Sequence, residues 1–139
     1  VPVSLTTSLS SPISKDGIIT SKFGNRKDPI TGEEKFHKGI DISADDATQI
    51  YPVISGIVSD VNENSSYGKY IIIDHGNNIK SLYAHCSDVI VKKGDSVSVD
   101  APIAHVGNTG HSTGNHLHLE LLVDGQNLDP EPLISDVSA

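Results

Sequence analysis

Apolar and polar positions alternate along this chain in short runs, most clearly in "HLHLELLV" at positions 116–123. Side chains at i and i+2 share one face of a strand, so His116, His118 and Glu120 point one way there. Leu117, Leu119 and Leu121 point the other. The leucines can bury against a core, and the Asp124-Gly125 pair that follows predicts a tight turn. "IYPVISGIVSDV" (50–61) predicts one strand, with Pro52 near its start, where proline is tolerated. "KYIIIDH" (69–75) and "IKSLYAH" (79–85) flank Gly76-Asn77-Asn78, residue types that accept positive φ, and predict a hairpin. "KKGDSVSV" and "APIAHVG" predict a further pair of short strands behind a glycine turn. No window carries a 3.6-residue apolar period over three turns. The expectation is a mostly β chain closed as a barrel, sandwich or rolled sheet. Residues 1–16, rich in Ser and Thr with two prolines, read as a linker or loosely attached arm. A domain over 17–134 and a tail over 135–139 complete the expected organisation.

Composition narrows the field. A length of 139 residues makes one domain the default and allows a real core. Two Phe and no Trp or Met imply a lean core of Ile, Val and Leu. The net charge of −8 argues against nucleic acid or an anionic membrane as partner, since both reward clustered Lys and Arg. Cys86 stands alone, which excludes an internal disulfide framework and a cysteine zinc site and reads as a small buried hydrophobe. There is no apolar run long enough to span a bilayer. The chain starts at Val1 without an initiator Met, so the expectation is a processed or excised segment with any leader or anchor upstream.

The histidines carry the candidate chemistry. "FHKGID" supplies His37 and Asp41 with Gly39 between them, which predicts a turn running into a strand that brings the two together. Zinc accepts imidazole nitrogen and carboxylate oxygen, and His37, Asp41 and one histidine of the 116/118 pair make three ligands. Three ligands leave a fourth position for water or substrate, the mark of a catalytic zinc site. Asp41 as an ordinary turn carboxylate, and His116 and His118 as a solvated pair, are the plainer alternatives. His85 ends the "LYAH" strand and adds a fifth candidate group. His75, His105 and His111 read as structural or surface residues. Glu120 shares a face with the histidine pair, either as a base or, better, as a partner that orients a ring.

The order "SKFGNRKDP…FHKGIDIS…YAHCS…VKKGDSV…GNTGHSTGNHLHLEL", from about residue 17 to 133, resembles the LytM/lysostaphin-type zinc metallopeptidases. The resemblance implies a compact, mostly antiparallel β fold with a groove holding the metal site. It implies zinc-dependent hydrolysis of peptide bonds in bacterial peptidoglycan, in the cross-bridge or the stem peptide. The family's three zinc ligands fall on His37, Asp41 and His118, and its two further active-site histidines on His85 and His116. Arg26 matches a frequent family arginine near the groove. The chain departs from the family pattern at "DDATQIYPV" after Asp41 and at Asn115, where many members have proline. An extracellular or cell-envelope setting in a bacterium follows, possible tethering to a membrane upstream included. Domains of this type also serve as non-hydrolytic envelope scaffolds, such as sporulation channel components that dock a protein partner. "VKKGDSVSVDAPIAHVG" is also similar to biotinyl/lipoyl carrier hairpins, but no lysine sits in the matching turn and no Met flanks one.

Overall fold

The computed structural model describes residues 9–13, 17–27, 31–109 and 114–134. Twelve strands run in chain order: β1 (Ile18–Ser21), β2 (Gly24–Lys27), β3 (Glu34–His37), β4 (Ile40–Ser43), β5 (Gln49–Ile50), β6 (Gly56–Asn64), β7 (Gly68–Gly76), β8 (Ile79–Val89), β9 (Ser96–Val97), β10 (Ala104–Val106), β11 (His116–Val123) and β12 (Gln126–Leu128). Ten of them form one antiparallel sheet along the path β1-β4-β11-β8-β7-β6-β9. β12 pairs with β11, and β10 bridges β8 and β5. β2 and β3 make a separate two-stranded ribbon that ends at His37. A 3₁₀ turn at Glu131–Leu133 is the sole helical element among the described residues. The mostly β expectation holds.

Both strongest turn signals behave as their chemistry requires. Asn77 and Asn78 close the β7–β8 hairpin at φ 53° and 61°, and Asp124 and Gly125 close β11–β12 at 52° and 78°. A two-residue turn with positive φ at both positions matches the twist of the strands it joins. The single strand expected over 50–61 breaks instead into β5 and β6. Pro52 is buried and has no N–H to give a ladder, and the Val53 N–H donates to the Tyr83 hydroxyl at 2.9 Å. β9 and β10 do not pair with each other either: β9 lies on β6, and β10 on β5 and β8.

The core gathers Ile40 and Ile42 from β4, Ile71 and Ile73 from β7, Tyr83 from β8, and Leu117, Leu119 and Leu121 from β11, each 0–1% exposed. Each such side chain contributes about 1.5–3 kcal/mol of hydrophobic stabilisation. Cys86 belongs to the same cluster, and burial pushes its thiol up to about 12. The expected loose arm is corrected where it is described. Leu9 and Ile13 are 1% and 5% exposed within the core. The Leu9 N–H donates to the Leu133 carbonyl, and the Tyr51 N–H to the Pro12 carbonyl, both at 2.8 Å. Two apolar residues in a polar stretch are enough to anchor it, because each buries almost completely. Residues 1–8, 14–16 and 135–139 lie outside the described residues.

Candidate metal centre

The β4–β11 pairing builds the centre. His118 stands opposite Asp41 in the ladder, and His116 opposite Ser43. β3 delivers His37, and the Lys38-Gly39 link carries the chain into β4. Gly39 is required by close approach, since a Cβ there would lie 2.0 Å from the Leu119 carbonyl oxygen. His37, Asp41 and His118 each offer a ligand atom, all within 4.8 Å of one another.

Hydrogen bonds fix which nitrogen each ring presents. His37 Nδ1 lies 3.0 Å from the Lys22 carbonyl, which only accepts, so Nδ1 carries the proton. Its Nε2 lone pair then faces Asp41 Oδ1 at 3.3 Å. His118 is held between two carboxylates, with Nε2 at 2.9 Å from Glu120 Oε2 and Nδ1 at 2.8 Å from Asp41 Oδ1. Burial would lower the pKa of His118, but the bonds to Asp41 and Glu120 carry it up to about 9. Asp41 is drawn well below the usual carboxylate range by His118 and His37, against the opposing effect of burial. Two carboxylates face the His118 ring, so the cluster favours a positive charge at its centre. A proton on His118 supplies it in part. A divalent cation supplies it fully, with two nitrogens and one oxygen turned inward and Glu120 holding the far side of the ring. The donor set therefore fits zinc.

His85 and His116 complete the histidine group, their rings 4.8 Å apart. His85 Nδ1 donates to the Thr109 carbonyl at 2.6 Å, and His116 Nδ1 to the Gly114 carbonyl at 2.9 Å. The second nitrogen of each ring remains for other contacts, and Nε2 of His116 lies 3.9 Å from Asp41 Oδ1. Burial lowers the His85 pKa. The His85 backbone sits at φ 64°, left-handed for a non-glycine residue, and its N–H donates to the Tyr67 carbonyl at 2.8 Å. Strain of this kind collects where surrounding structure must aim a side chain.

All five predicted residues are brought together. Glu120 orients His118 as expected, and the structure adds three residues for which the sequence carries no spacing signal. Tyr67 donates to Glu120 Oε2 at 2.5 Å and stacks on His118, while Asn127 donates to Glu120 Oε1 at 3.1 Å. Thr109 holds His85 through its carbonyl. Burial, followed by the Glu120 carboxylate, pushes the Tyr67 hydroxyl pKa up, so it stays a donor. His75 and His105 lie elsewhere, bonded to Ser81 and Asp88. His111 and the Arg26 side chain lie outside what is described.

Known proteins resemble this chain. It is 37% identical to the peptidoglycan DD-endopeptidase ShyA of Vibrio cholerae over 116 residues, 83% of this chain and 27% of that one. The chain spans 26 to 27% of the length of the first curated relatives it matches. Among solved structures, a zinc-containing peptidase from Vibrio cholerae superposes with a TM-score of 0.81 at 36% identity, covering 86% of this chain and 38% of that one. The catalytic domain of lysostaphin, an antimicrobial peptidase from Staphylococcus simulans, superposes with a TM-score of 0.75 at 26% identity, covering 84% and 90%. The family model for peptidase family M23 matches residues 35–130. With two-thirds of its length under that model, the chain belongs to peptidase family M23.

Proposed function

We propose that this domain is a zinc-dependent endopeptidase that hydrolyses peptide bonds of bacterial peptidoglycan, in the cross-bridge or the stem peptide, outside the cytoplasmic membrane. The observation that carries the reading is the pairing of a three-donor centre with two more imidazoles that each direct Nδ1 to a backbone carbonyl. The peptidoglycan substrate and the envelope setting rest on the relatives' names.

His37, Asp41 and His118 would hold the metal. Zinc bound there would supply Lewis-acid chemistry, lowering the pKa of a water towards about 7 and polarising the scissile carbonyl. His116, 3.9 Å from Asp41 Oδ1, takes the proton from the attacking water at Nε2. His85 lies beside His116, with the two ring centroids 4.8 Å apart. The departing amine takes up the proton that His116 accepted, returned by His116 itself or passed through His85. The Thr109 and Gly114 carbonyls engage Nδ1 of the two rings and leave each Nε2 for proton transfer. Glu120, Tyr67 and Asn127 hold His118 still.

Zinc-loaded domain incubated with purified peptidoglycan should release new amino termini, read by labelling and mass spectrometry. His85→Ala and His116→Ala should each lower kcat by about 100-fold or more with zinc stoichiometry unchanged. Full zinc content without cleavage in the wild-type protein would replace this reading with the non-hydrolytic envelope scaffold.

A further inference from the structure

A cavity of about 700 Å³ opens beside the centre, on the face of the sheet to which His118 and Glu120 point. Its floor follows from register. Glu120 stands opposite Leu82, Leu82 opposite Ile72, and Ile72 opposite Asp60, so these four share one face across β11, β8, β7 and β6. Leu122 and Lys80 form the neighbouring row. Lys38 joins the lining from the link between two metal-site residues, and Lys93 from the loop that precedes β9.

The charge here runs against the rest of the molecule. The chain carries 18 acids to 10 Lys and Arg, yet three lysines line this cavity. Among the described residues no carboxylate lies within ion-pairing distance of the Lys38, Lys80 or Lys93 ammonium groups. Two acids share the lining. Both Glu120 oxygens are occupied by Tyr67, His118 and Asn127, which leaves Asp60 as the one carboxylate not engaged by the centre. Lysine is a point charge on a long stem that accepts a carboxylate from many directions. Ile72, Leu82 and Leu122 offer alkyl contact between the ammonium groups.

We infer that this cavity is a subsite for a free carboxylate on the peptide being cut, read by Lys80 and Lys93 with small apolar side chains lying over Leu82 and Leu122. The inference rests on the peptidase reading and narrows its substrate to acidic peptides rather than uncharged bridges.

The test uses one cross-linked stem-peptide dimer, prepared with its side-chain carboxylates free and as carboxamides. It uses the zinc-loaded wild-type protein and the double variant Lys80→Gln, Lys93→Gln. Wild type should cleave the acid form about tenfold better in kcat/KM, through KM, and the double variant should lose that preference while cutting the amide form within about twofold of wild type. Equal wild-type cleavage of both forms, or an equal loss on both in the variant, overturns the subsite. Calorimetric binding of the same two peptides to the same two zinc-loaded proteins separates the two readings. If neither peptide is cut, hydrolysis falls. A carboxylate-selective, lysine-dependent affinity then still supports the subsite, and unselective binding removes it.

Discussion

Asp41 is the residue on which the centre turns. Three imidazoles approach its Oδ1, at 2.8, 3.3 and 3.9 Å. A single oxygen cannot satisfy three rings, but a cation beside it can organise all of them. Glu120 works from behind, accepting from His118 Nε2 so that Nδ1 is left for the metal. Glu120→Gln keeps an acceptor and removes the charge, so zinc affinity should drop by about 10- to 100-fold, read by competition with a chromogenic chelator. Much of this was legible beforehand. The two-residue spacing of His116 and His118 puts both on one face, and the His37/Asp41 turn is visible through Gly39. The choice between His116 and His118 was not open to spacing alone; it came from resemblance. Tyr67 and Asn127 lie 53 and 7 residues from Glu120, and nothing local in either segment announces the contact.

At the scale of elements, Gly39 controls how closely the β3–β4 link approaches β11. A methyl group at that position meets the Leu119 carbonyl at 2.0 Å, backbone that cannot step aside cheaply. Gly39→Ala should cost about 1–3 kcal/mol in chemical denaturation and weaken zinc binding as Asp41 moves from His118. A second prediction concerns His75 of β7, which reaches Ser81 Oγ of β8 at 2.7 Å and the Ser55 carbonyl just before β6 at 3.0 Å. Burial lowers the His75 pKa below its ordinary 6.5, so folding favours the neutral ring. The unfolded ring gains its proton first as pH falls through about 6.5. Its contribution is therefore complete above that pH and shrinks below it. The difference in unfolding free energy between wild type and His75→Gln should narrow from pH 7.5 to 5.5; a constant difference would refute the assignment. Strand positions were readable from alternation and the Asn-Asn and Asp-Gly turns. The break at Pro52 was not, because a proline near a strand start looks the same as one that ends it.

For the molecule as a whole, the centre and its neighbouring histidines tie together segments far apart in sequence: β3 and β4, the middle of β8, and β11. An ion bound only in the folded state adds stability in proportion to the logarithm of its concentration over Kd, about 2.7 kcal/mol at a hundredfold excess. Chelation should therefore lower Tm by several degrees, and zinc should restore it in a concentration-dependent way, measured by differential scanning calorimetry.

Leu9 and Leu133 share a backbone hydrogen bond, and Leu9 bridges Ile134 in parallel. The two ends of the described stretch are thus neighbours. A host protein could carry it as a module inserted at one surface point, its two junctions side by side, with little disturbance to either partner. The same adjacency bears on strand order: a chain joined end to end and opened at the exposed Asn77-Asn78 turn should keep the sheet and the histidine cluster, read by zinc stoichiometry and circular dichroism.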